Sequence, residues 1–131
     1  MSPAAAPMPT RSRLLRYTLV GGVATAVHWG AMSLLVTVLH LPAWCASGAG
    51  AVLGAQVAFA GNRAFTFAHQ GPWWPAWRRF MATALLGAVA GMAVVAVSVA
   101  AGWHYLAAQA LATMLVLLLT FAVNRRWTFA G

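Results

Sequence analysis

Phe59-Ala60-Gly61-Asn62-Arg63-Ala64-Phe65-Thr66-Phe67 returns near the end of the chain as Phe121-Ala122-Val123-Asn124-Arg125-Arg126-Trp127-Thr128-Phe129. Phe, Ala, Asn, Arg, Thr and Phe recur in one order. Each copy closes an apolar run, about 43–61 in the first case and 105–123 in the second. Upstream of each lies another apolar run, about 17–39 and 80–101, introduced by Arg16-Tyr17 and Arg79-Phe80. Each half therefore reads basic–aromatic, helix, short turn, helix, Asn-Arg-x-aromatic-Thr-Phe. The halves run the same way, so the repeat is parallel. In folds built from such repeats, small-molecule sites lie at the repeat interface.

The composition sets the solvent. The chain has 131 residues, 63% of them hydrophobic, and only 6% are charged. A water-soluble domain carries roughly 25% charged residues. The first run is about 23 residues, enough for a hydrocarbon core ~30 Å thick. It is too long for the apolar region of a cleaved signal peptide. His40-Leu41-Pro42 and Gly102-Trp103-His104 interrupt the apolar pattern as short turns. The expected fold is an all-α integral membrane protein of four transmembrane helices, arranged as two parallel-repeated helical hairpins. Residues 1–12, rich in Pro and Ala, are expected to form a disordered tail, and 13–131 the membrane domain.

The arginines orient it. All eight basic residues are Arg, at 11, 13, 16, 63, 78, 79, 125 and 126. With four spans they all fall on one side, and the two short turns carry none. The positive-inside rule makes that side cytoplasmic, with both termini there.

Asp and Glu are absent. That removes the paired carboxylates of glycoside hydrolysis, an acid to orient a catalytic His, and the oxygen ligands of Mg²⁺ or Ca²⁺. The single cysteine, Cys45, excludes an intrachain disulfide and a Cys-rich zinc site. His40, His104 and Cys45 offer too few ligands for a metal centre. No phosphate-binding loop motif is present. No enzymatic activity, cofactor, metal or nucleic-acid partner is expected.

The ordered motifs resemble the GtrA-like family across residues 13–130. They are Arg16-Tyr17, Val20-Gly21-Gly22-Val23-Ala24-Thr25, Asn62-Arg63-Ala64-Phe65-Thr66-Phe67, Arg79-Phe80 and Asn124-Arg125-Arg126-Trp127-Thr128-Phe129. The resemblance implies a bacterial inner-membrane protein of cell-surface polysaccharide synthesis, O-antigen included. Such proteins are implicated in flipping polyprenyl-phosphate-linked sugars to the outer leaflet. It also implies an alternative role, as a non-catalytic membrane anchor of a polyprenol-phosphate glycosyltransferase. Many members carry Asp or Asn where this chain has His28. A small multidrug-type exporter, also of four spans, relies on a membrane-embedded Glu that is missing here.

Specific residues carry these readings. Guanidinium groups without carboxylates must pair with headgroups, carbonyls, solvent or an anionic ligand, and Arg grips phosphate bidentately. Arg63 and Arg125, with Arg16, Arg79 and Arg126, are the candidate phosphate ligands. Asn62 and Asn124 belong to the same set and are also read as left-handed helix terminators. Thr25, His28 and Gln56 are candidate contacts for sugar hydroxyls. Polar groups within a span are costly, and His28 also has a structural reading, bonding to Gln56 or Gln109. Trp73, Trp74 and Trp77 are expected in a central loop on the membrane surface. Gly50-x-x-x-Gly54 and Gly87-x-x-x-Gly91 mark close helix contacts, within the chain or in a homodimer. The expected partners are membrane lipids, the lipid-linked sugar, a glycosyltransferase and a second copy of the chain.

Overall fold

The computed structural model describes residues 9–66 and 71–127; the side chains of Phe121 and of 123–127 lie outside the described residues. Four helices follow in order: α1 Thr10–Thr37, α2 Ala43–Gly61, α3 Trp73–Ala100 and α4 Tyr105–Trp127. One turn of π-helix, Asn62–Thr66, extends α2. The first three helices are long and apolar enough to cross a membrane. The backbone of α4 adds 23 residues. At 1.5 Å per residue it reaches about 34 Å, against a hydrocarbon core of ~30 Å. The protein is an all-α membrane protein of two helical hairpins.

The short turns lie where the sequence breaks. Gly102 has φ 98°, the left-handed region. Trp103 N–H donates to the Ser98 carbonyl and Gly102 N–H to that of Val99, each at 3.0 Å. This is the Schellman closure that a glycine past a helix end permits. His40 takes φ 54° after α1, and Pro42 caps α2. The His104 Nδ1 accepts from Leu106 N–H at 3.1 Å and caps α4.

Three expectations on element bounds change. α1 starts at Thr10, so Arg11 and Ser12 are helical rather than part of a tail; residues 1–8 lie outside the described residues. α3 starts at Trp73, with Pro72 as its N-cap, so Trp73, Trp74 and Trp77 form its first turns instead of a loop. Pro75 is tolerated there because the first four N–H groups of a helix have no intrahelical partner. Asn62 does not end α2. Its φ −68° and ψ −40° are right-handed, and the chain runs on into the π-turn. Its Oδ1 instead accepts from the buried Thr66 hydroxyl at 2.9 Å. Asn124 likewise lies inside α4.

Each helix packs on its neighbour in sequence: α1 on α2, α2 on α3, α3 on α4. Small residues set the approach. A Cβ on Gly50 would sit 2.5 Å from the His28 carbonyl oxygen, and one on Gly54 2.8 Å from that of Ala24. The glycine pair of α2 thus serves intrachain packing with α1. Gly87 and Gly91 face Val116 of α4. Between α2 and α3, Trp77 Nε1–H donates to Gln56 Oε1 at 2.9 Å, and the Phe59 and Phe80 rings stand 5.6 Å apart. The core lies toward the two short turns, where Met32, Ala46, Val95, Ala108 and Ala112 are buried together. Among the described residues, α1 and α4 form no comparable interface, so the ring of helices stays open on that side.

Candidate functional site

Below that core, the helices part around a groove of about 440 Å³. All four helices line it. Its walls follow the repeat. Tyr17 of α1 and Phe80 of α3, the aromatics of the two basic–aromatic pairs, both line it. So do Ala51 and Thr113, Ala58 and Thr120, and Ser47 and Gln109, which occupy matching places on α2 and α4. The groove therefore lies at the repeat interface, as parallel-repeat folds lead one to expect.

The blind end is polar and tied. The Ser47 hydroxyl donates to Gln109 Oε1 at 2.6 Å, across 62 residues of chain. Both side chains are 2% exposed. Gln109 Nε2 donates on to the Thr113 hydroxyl at 3.1 Å. His28 Nε2 lies 3.1 Å from the Ser47 carbonyl. A carbonyl only accepts, so Nε2 carries the proton and Nδ1 of the neutral ring is left as an acceptor. These bonds satisfy groups that would be costly to leave unpaired inside a membrane. They also present hydroxyl, amide and imidazole edges to the groove, with no charged group among them.

The other end faces the arginines. Thr83 lines the groove and donates to the Arg79 carbonyl at 3.4 Å, one turn back on α3. Arg79 is thus one turn before Thr83 on the same helix face. Arg63 lies on the π-turn. Its Nη2 donates to the Gly71 carbonyl at 3.0 Å. Its Nε is buried with no partner among the described residues. Arg16 Nη1 donates to the Phe65 carbonyl at 3.1 Å, and its guanidinium carbon stands 4.6 Å from the Phe65 ring centre.

The candidate residues separate into groups. Thr25 and His28 line the groove. Gln56 does not: it bonds to Trp77 and to Met81 Sδ, at 3.1 Å for the latter, and holds α2 to α3. The expected partners of His28 are also corrected, because its ring meets the Ser47 carbonyl rather than Gln56 or Gln109. Arg63, Arg16 and Arg79 do not line the groove; Arg79 is exposed, one turn before Thr83 on α3. The side chains of Asn124, Arg125 and Arg126 lie outside the described residues; their backbone ends α4 at the same end of the bundle. Sequence reasoning missed Ser47, Thr83, Thr113 and Thr120 as groove residues. The repeat register links one of them, Ser47, to a polar counterpart, Gln109; Thr113, Thr120 and Thr83 correspond to Ala51, Ala58 and Val20 and carry no such signal.

The family model of the GtrA/DPMS transmembrane domain matches residues 16–129. The chain belongs to this family. Membership places it among membrane proteins of polysaccharide and glycosylation pathways. No curated protein matches the sequence. Within the family match, Tyr17, Phe80, Ser47 and Gln109 are among the residues that line the groove.

Proposed function

We propose that this GtrA/DPMS-family protein translocates a polyprenyl-phosphate-linked sugar across the bacterial inner membrane. The observation that carries the reading is the groove: neutral polar edges at a blind end, arginines at the other, and a side open to lipid between α1 and α4. The sugar leaves water for hydroxyl, amide and imidazole partners, namely Thr25, His28, Ser47, Gln109 and Thr113. The phosphate stays at the arginine end, the cytoplasmic side, held by Arg63, Arg79, Arg125 and Arg126 with Asn62 and Asn124. The buried Arg63 Nε is a donor that a phosphate oxygen would satisfy. The prenyl tail remains in the bilayer and passes the open side. Among the described residues, His28 is the one ionisable imidazole in the lining, and the sequence offers no carboxylate to relay a proton to it. Net flux then follows the substrate gradient.

The test is reconstitution of the purified protein in liposomes with a short-chain polyprenyl-phosphate sugar. Wild type moves the sugar between leaflets, and Arg63→Gln with Arg125→Gln loses that movement while still inserting. Movement that survives the double change refutes the phosphate role. No movement by folded wild type, with sugar and tail varied, refutes translocation and favours the membrane anchor of a polyprenol-phosphate glycosyltransferase.

A further inference from the structure

The flank of α1 turned away from the groove carries a second hollow. It measures about 290 Å³ and is lined by Leu19, Val20, Val23, Val57, Gly61 and Phe65, without a polar side chain. At its edge Gly61 lets α1 approach α2 closely, since a Cβ there would stand 2.8 Å from Val20 Cγ1. Arg16, Leu19, Val20 and Val23 follow at i, i+3, i+4 and i+7, so they form one stripe down α1. The stripe runs from a cation to apolar residues over about 10 Å. Phe65 joins the two parts, since it lines the hollow while its ring and carbonyl hold Arg16.

We propose that this hollow is a site for one anionic phospholipid, with its phosphate on Arg16 and an acyl chain in the hollow. Charge argues for an anion. The chain is +8 and has no Asp or Glu, so no side-chain carboxylate competes for this guanidinium. Arg16 has further N–H donors beyond the one given to Phe65, arranged in the fork that suits phosphate oxygens. The lining argues for hydrocarbon. Position argues against the groove's own substrate. At 3.6 residues per turn, the hollow faces about 130° around α1 from Tyr17, Ala24, Thr25 and His28 of the groove. One molecule cannot place its head in the groove and its tail in the hollow without wrapping the helix. The occupant is therefore a resident membrane lipid, and the site does not depend on the transport reading.

The test is native mass spectrometry of the purified full chain, released from detergent after incubation with dioleoyl phosphatidylglycerol or dioleoyl phosphatidylcholine. Wild type retains one phosphatidylglycerol, in preference to phosphatidylcholine by about tenfold, the factor expected for one charge-assisted contact. Arg16→Gln abolishes the preference, and Arg11→Gln keeps it. Val23→Trp, which fills the hollow from a lipid-facing position, lowers retention of both lipids. Equal retention of the two lipids by wild type overturns the proposal. So does an unchanged preference in Arg16→Gln, or displacement of the lipid by equimolar polyprenyl phosphate.

Discussion

The bond from Ser47 to Gln109 closes the blind end of the groove, and its strength can be worked out. It is 2.6 Å long, joins α2 to α4, and both ends are 2% exposed. In a water-soluble core, Ser47→Ala would leave Gln109 Oε1 unsatisfied at a cost of about 1–3 kcal/mol. In a membrane the unfolded reference also finds partners, and interhelical bonds average about 0.6 kcal/mol with a ceiling near 1.7. The expected coupling between Ser47→Ala and Gln109→Leu is thus about 0.6–1.7 kcal/mol, or about 3- to 18-fold in the unfolding constant. The double variant should be little worse than either single one, because removing both partners removes the orphan. Thr113→Val is the control, since it removes the other bond of Gln109 and leaves that to Ser47 in place. The assay is equilibrium unfolding in mixed micelles, followed by the fluorescence of the seven tryptophans. Additivity of the two single effects within ~0.3 kcal/mol would show that the bond does not close the groove.

Other outcomes follow from the same packing. Gly50→Ala drives a methyl into the His28 carbonyl and should destabilise by about 1–3 kcal/mol, whereas Gly22→Ala, with open space around it, should stabilise by about 0.5–1 kcal/mol in the same unfolding assay. Gly102→Ala forces a Cβ into a left-handed turn at φ 98° and should cost about 1–2 kcal/mol, without altering transport per folded molecule. Thr25→Val should lower liposome translocation of the lipid-linked sugar at unchanged stability. Gln56→Leu should lower stability and spare translocation, because Gln56 serves the α2–α3 contact.

Sequence resolved the helices well where hydropathy and turn chemistry agree. The His40–Pro42 and Gly102–His104 breaks recur as the two turns, and α2 ends its regular α-helix at Gly61 as read. It failed where a helix outlasts its apolar stretch. α1 and α3 extend into polar, arginine-bearing sequence, and hydropathy cannot see a helix that leaves the hydrocarbon. The capping reading of Asn62 failed for a related reason. The preference of Asn for left-handed backbone is weak, and the Thr66 hydroxyl gives its side chain a partner inside a continuing helix. At the site, Thr25 and His28 were legible because polarity within a span is rare. Which polar residues meet was not, since partners depend on helix rotation. Gln56 and Ser47 lie nine positions apart on one helix, yet only Ser47 turns to the groove.

The repeat explains both the groove and its opening. Each hairpin buries small residues between its own helices, at Gly50 and Gly54 in the first and at Gly87 and Gly91 in the second. A third interface joins α2 to α3 through Gln56, Trp77, Phe59 and Phe80. Covalent order supplies no such closure between α4 and α1. Besides the α2–α3 interface and the shared core, the two hairpins are tied across the middle by the matched pair Ser47 and Gln109. The scaffold is thus repeated while its lining is not. His28 of α1 corresponds to Gly91 on α3, and Ala51 of α2 to Thr113 on α4, and all four line the groove. A symmetric shell with one imidazole and unequal hydroxyls presents a handed set of donors and acceptors. That is what a groove needs if it is to hold a chiral polyol in one orientation.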